Sequence, residues 1–312
     1  MNRAGRARLG KLAGVREESL VAINDDERLA GSVWRPEYPP RALILMYPGS
    51  GPSDRHNDVL FPPIRAALLE IGVAVCSFDK RGVGDSSGSW LDADIHVQAA
   101  DVAVQLNVAK SAVGRVPTGL FGHSQGGWVV LEAAALTEPD FVITNSGPAV
   151  TPREQETYST RQTLRERGWD DDAVSRGVGA FTAVMDLLRL PFAVGRPQAQ
   201  ALPMVTDLID AGVFIPVDEH LWSFAAGVMD HDPQPALHAL EVPLLAMFGA
   251  DDNVVPVERS VEVLRTAVRP DLLDVRVIAD GDHRIQHSGI QRADDFADGY
   301  LNAITGFVAQ LC

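Results

Sequence analysis

Six short strand-like runs constrain this chain more than any other feature. They are residues 42–47 (ALILMY), 73–78, 118–121, 141–144, 244–248 and 275–279. A continuous apolar run such as 42–47 marks a strand buried on both faces of a parallel sheet. Stretches with helical spacing fall between or after them, at 64–71, 95–109, 128–136, 257–267 and 293–308. Strand–helix alternation of this kind predicts an α/β fold, a doubly wound and mostly parallel sheet. Two earlier runs, 20–23 and 29–34, flank Asn24-Asp25-Asp26 and read as a hairpin.

The alternation stops near Thr151 and resumes near residue 236. Residues 151–235 read as several helices broken by glycine and proline, with Trp169, Phe181, Phe192, Phe214, Trp222 and Phe224 among them. The expected organisation is therefore a core of 1–150 and 236–312 carrying a helical cap at 151–235. A cap of this kind closes a pocket and shapes specificity, and its aromatics pack the cap or line that pocket.

Composition excludes several roles. The 312 residues carry 42 acidic against 27 basic side chains, a net charge of -15. That balance opposes sequence-independent nucleic-acid binding. The two cysteines, Cys76 and Cys312, make neither a disulfide framework nor a metal site. The basic first twenty residues lack the apolar stretch of a signal peptide, and the first dozen are a candidate for disorder. No run approaches 18 apolar residues. A cytoplasmic location without a membrane partner is the expectation, and a homodimer is left open.

The strongest local signal is Gly122-His123-Ser124-Gln125-Gly126, between an expected strand and an expected helix. A serine at such a turn is lifted to the top of a sheet as a nucleophile, provided the residues two before and two after it are small. Its hydroxyl needs a base, and the base needs an orienting carboxylate. In this architecture the chain order is serine, acid, histidine. Asp252 follows the strand at 244–248 and is the first choice for the acid, with Asp251 in reserve. His283, in Asp280-Gly281-Asp282-His283 after the next strand, is preferred to His287 as the base. His123 is adjacent in sequence to Ser124 and reads as packing. His56 lies in the loop after the first core strand, where it can touch substrate. His96, His220, His231 and His238 lack supporting context.

Charge developing on a substrate carbonyl oxygen calls for backbone N–H donors. Gln125, the residue after the nucleophile, supplies one. The loop Tyr47-Pro48-Gly49-Ser50-Gly51-Pro52 supplies the other, assigned to Ser50 with Gly51 in reserve.

Four stretches together resemble the α/β-hydrolase superfamily, in particular bacterial serine hydrolases similar to the prolyl-oligopeptidase catalytic domain and to acyl-CoA thioesterase-like hydrolases. They are PGSGPSDR at 48–55, FDKRGVGDSSG at 78–88, GHSQGGW at 122–128 and GADDNVVP at 249–256. The resemblance implies the α/β-hydrolase fold and places the acid at Asp252. It departs at Pro48, where the family usually has a histidine that braces the oxyanion loop. The Arg81 loop reads as structural. The implied activity is hydrolysis of a carboxylic ester or thioester, a small-molecule acyl substrate, by Ser124, Asp252 and His283 without metal or cofactor. The alternatives are acyl transfer, cyclisation or elimination at the same site, and a non-catalytic ligand-binding protein of the same fold.

Overall fold

The computed structural model describes residues 15–287 and 295–312. The basic N-terminal stretch up to residue 14 and the start of the helix expected at 293–308 lie outside them.

The chain forms one sheet of eight strands, ordered β1-β2-β4-β3-β5-β6-β7-β8. The strands are β1 (Arg16–Asn24), β2 (Glu27–Arg35), β3 (Ala42–Tyr47), β4 (Val73–Phe78), β5 (Thr118–His123), β6 (Phe141–Asn145), β7 (Leu244–Gly249) and β8 (Leu273–Ile278). β1 and β2 make the expected hairpin, and β2 runs antiparallel to β4. Every pair from β4 to β8 is parallel.

Alternation survives inside the apolar runs. Leu43 and Leu45 face one side of the sheet, where α2 (Ile95–Val113) and α3 (Gln125–Thr137) bring Val102, Leu106, Val129 and Val130. Ile44 and Met46 face the other, where α1 (Phe61–Glu70) and α11 (Tyr300–Leu311) bring Phe61, Ile64, Tyr300 and Ile304. Both faces are covered, which is why β3 to β7 are buried throughout. β8 closes the edge and is half-exposed, with an Arg276–Asp274 ion pair. Asp94 starts α2 by accepting from the Val97 N–H at 2.9 Å.

Six helices run between β6 and β7: α4 (Pro152–Glu166), α5 (Asp171–Leu187), α6 (Phe192–Ala201), α7 (Val205–Asp210), α8 (Glu219–Met229) and α9 (Gln234–His238). α10 (Val257–Ala267) follows β7. Leu164, Phe181, Val184, Leu208 and Trp222 gather into a core of their own there, separate from both sheet cores. Phe192 packs edge-on to Trp222, whereas Phe224 leaves that core to meet Trp90 and Phe214 is exposed. Among the described residues no helix is long and apolar enough to cross a membrane.

Candidate active site

β5 passes into α3 through a single residue. Ser124 caps the helix with φ 53° and ψ -126°, a left-handed backbone that non-glycine residues rarely adopt. Strain of this sort costs about 1–3 kcal/mol and persists only where its surroundings enforce it. Here the enforcement is visible. A Cβ at Gly122 would collide with the Gly126 carbonyl, and one at Gly126 would lie 2.6 Å from the Pro48 carbonyl oxygen. The Ser124 N–H donates to the Asn145 carbonyl at 2.9 Å, which ties the turn to β6.

The acid and the histidine come from the next two strand ends. A Cβ at Gly249 would strike the Gly281 and Asp282 carbonyls, so the loops after β7 and β8 pass in contact. The Asp251 N–H donates to the Gly281 carbonyl at 2.9 Å. Its carboxylate is exposed, while Asp252 turns inward with its side chain fully buried. Asp252 Oδ1 accepts from the Val254 and Val255 N–H groups at 2.8 and 2.9 Å. Its two oxygens lie 3.1 and 2.9 Å from His283 Nδ1. His283 Nε2 in turn lies 2.9 Å from Ser124 Oγ. A carboxylate can only accept, so Nδ1 carries the proton and the Nε2 lone pair faces the hydroxyl. His287 instead joins a short bridge to Gly281, and His56 packs edge-on to Trp34.

Of the two expected oxyanion donors, Gln125 adjoins Ser124 in the chain and Ser50 follows Gly49. Gln125 stands at the first position of α3, where a helix leaves its N–H unpaired. Gly49 lies against the serine: a Cβ built on it would sit 3.1 Å from Ser124 Cβ. Ser50 follows it and is exposed, and Gly51 takes φ 82°.

Charged side chains hold this loop to the end of β4. Arg55 pairs with Asp79 and Asp85. Burial pushes the Asp79 carboxyl up, but hydrogen bonds from Arg55 and from the Asp85 and Arg55 N–H groups outweigh it and leave its pKa lowered. Arg81 grips Asp101 with two bonds of 2.8 Å, a structural use of that loop. Lys80, between these two pairs, was not singled out by sequence reasoning. Its ammonium is buried and donates to the Gly49 carbonyl at 2.5 Å. Its only sequence signal is a lysine at the polar end of a buried strand.

His123 is buried, as its packing reading expects, whereas the contacts that α4 makes with the acid loop carry no sequence signal. The His123 ring centroid lies 5.1 Å from that of His283, and its Nδ1 lies 2.9 Å from Asn145 Nδ2 and 3.1 Å from the Asn145 backbone carbonyl oxygen. Burial, then the neighbouring His283, push its pKa well down, so it stays neutral. From α4, Tyr158 donates to the Asp252 backbone carbonyl at 3.1 Å, and Gln155 donates to the Val254 carbonyl at 3.0 Å. His231 is likewise buried, with its pKa drawn down to about 4 by burial and then by His96.

Known proteins share this architecture. A family model described as serine aminopeptidase, S33, matches residues 39–170. The mitochondrial palmitoyl-protein thioesterase ABHD10 of Mus musculus is 27% identical over 252 residues, 75% of this chain and 70% of that protein. A monoacylglycerol lipase of Mycolicibacterium smegmatis is 25% identical over 258 residues, 80% of this chain and 84% of that one. Among solved structures, Est1E of Butyrivibrio proteoclasticus with ferulic acid bound superposes with a TM-score of 0.60 at 19% identity, covering 94% of this chain and 98% of that one. Mouse alpha/beta hydrolase domain-containing protein 10 gives 0.58 at 19%, covering 95% and 100%. With this strand order and its strand-to-helix serine turn, the chain has the α/β-hydrolase fold, and these likenesses support its place among the α/β-hydrolases.

Proposed function

We propose that this protein hydrolyses a carboxylic ester or thioester through an acyl-enzyme. One observation carries the reading: the unbroken hydrogen-bonded path from Ser124 Oγ through His283 to Asp252. Ser124 Oγ attacks the substrate carbonyl while His283 Nε2 takes its proton. Asp252 holds the ring and stabilises the imidazolium that forms. The tetrahedral oxyanion lies between the N–H groups of Ser50 and Gln125. As it collapses, His283 returns the proton to the leaving alcohol or thiol. Water, activated by the same histidine, then releases the acid and restores Ser124.

The relatives named as a thioesterase and a lipase act on acyl esters of sulfur and oxygen, which supports this bond class. In this reading the helices between β6 and β7 form a lid over a small-molecule acyl group. The test is labelling of the full chain with a fluorophosphonate probe. Wild type should label and Ser124→Ala should not. An unlabelled wild type, or a labelled Ser124→Ala, overturns the assignment. A panel of nitrophenyl esters, acyl thioesters and amino-acid anilides then fixes the bond, the anilides covering the aminopeptidase description of the matching family model.

A further inference from the structure

Lys80 is buried and without a carboxylate partner among the described residues, although the side chains on either side of it are paired, Asp79 with Arg55 and Arg81 with Asp101. A buried ammonium without counter-charge is costly, and chains keep one where it performs a task. Its polar contact is a single acceptor, the Gly49 carbonyl, and its Nζ lies 5.4 Å from the centroid of the Tyr47 ring. Pro48, just before Gly49, has neither an N–H nor a polar side chain with which to anchor the loop.

The Gly49 carbonyl is one half of a peptide unit whose other half is the Ser50 N–H. Among the described residues no peptide bond is cis. In a planar trans peptide the C=O and the N–H point in opposite directions. A donor fixed on the Gly49 oxygen therefore fixes the Ser50 N–H to face away from Lys80. That N–H has no partner among the described residues, and the Gly49 backbone already lies against Ser124. We propose that Lys80 is a positioning residue of the oxyanion hole: by clamping the Gly49 carbonyl it holds the Gly49–Ser50 peptide with the Ser50 N–H turned to the substrate oxygen. The inference rests on the acyl-enzyme reading above.

The charge contributes beyond the geometry. An ammonium on the carbonyl polarises the peptide and strengthens its N–H as a donor, as in any chain of hydrogen bonds in a low-dielectric interior. Burial draws the Lys80 pKa down to about 7. The ammonium is thus present below neutrality and gives way to the weaker donor, the amine, above it. For stability the sign is opposite to that of an ion pair. The folded-state value lies below the unfolded one, so between them the unfolded chain holds the extra proton and stability rises with pH.

The experiment uses the full chain with Lys80→Met and Lys80→Gln, a nitrophenyl ester and a fluorophosphonate label run to completion to count intact sites. In Lys80→Met, kcat should fall about 10–100-fold, somewhat less than loss of a whole oxyanion donor. KM should stay within about threefold, because an interaction made in the transition state is removed. The melting temperature should hold or rise at pH 6, since an unpaired buried charge is gone. Lys80→Gln keeps an N–H donor and should lose less. The wild-type fall in kcat on passing above neutrality should vanish in both variants. An unchanged kcat in Lys80→Met overturns the proposal. So does a loss carried wholly in KM, or one that tracks a falling melting temperature in both variants, since each makes Lys80 a plain structural staple. Should Lys80→Met fail to fold, Lys80→Gln decides by the same criteria. Failure of wild type to label, by contrast, removes the acyl-enzyme reading itself.

Discussion

The sheet and the helical run between β6 and β7 solve different problems with different means. At the sheet's strand ends the proposed reacting groups are fixed by backbone. Gly122, Gly126 and Gly249 leave no space for a Cβ, and the carboxylate of Asp252 is held by two N–H groups. The helical run instead packs around its own apolar core of Phe181, Trp222 and their neighbours. Its polar contacts with the acid loop include the side-chain bonds of Gln155 to Val254, Tyr158 to Asp252 and Asn253 to Glu166. The proposed chemistry would thus be built on the rigid element, while the helical run has freedom to differ in shape without disturbing the Ser124–His283–Asp252 geometry.

The comparison breaks most sharply at the acid. Asp252→Asn presents an amide to His283 Nδ1 and favours the wrong tautomer. An effect of about 10⁴-fold on kcat is expected from the general behaviour of such triads. Asp251→Asn, one residue away but directed outward, should stay close to wild type. Initial rates on one ester for the two variants decide it. Equal losses, or the reverse order, would move the acid to Asp251 and undo the claim that backbone at the strand ends selects the reacting groups.

That contrast also explains what was legible in the sequence. The elbow, the acid loop and the histidine loop could be read because tight turns at strand ends admit few residue types. The spacing therefore carries the geometry. Boundaries slipped where packing relaxes: β8 is Leu273–Ile278 against an expected 275–279, because an edge strand with an Arg276–Asp274 pair lacks a continuous apolar run. Lys80 could not be read, since its partner is a carbonyl 31 residues away and no motif encodes that meeting. Nor could the roles of the aromatics at 151–235. Phe181 is buried, Phe214 exposed and Phe224 packed on Trp90, distinctions that tertiary packing makes and composition does not.

The next effect tests the independence of the helical core. Phe181 is 1% exposed at its centre. Phe181→Ala should cost about 3–5 kcal/mol of stability through lost burial and the cavity left behind. Thermal unfolding should show the loss. Below the new transition, the fluorophosphonate should still label Ser124 at close to the wild-type rate. Loss of labelling as complete as in Ser124→Ala, in protein that is still folded, would mean that the helical core holds the reacting geometry after all.

The smallest effect probes the seam between the two regions. The Tyr158 hydroxyl reaches from α4 to the backbone carbonyl of Asp252, not to its carboxylate. Burial raises the pKa of this phenol, so the donor persists through neutral and mildly alkaline solution. Tyr158→Phe removes one neutral hydrogen bond and should cost about 0.5–1.5 kcal/mol of stability. Because Val254 and Val255 hold the Asp252 carboxylate independently, kcat should drop by less than about tenfold, under 1.4 kcal/mol of barrier. A larger fall in kcat, with unfolding unchanged, would show that α4 tunes the acid through its backbone. The seam would then belong to the proposed chemistry, and the division between the sheet's strand ends and an independent helical run would have to be redrawn at Tyr158.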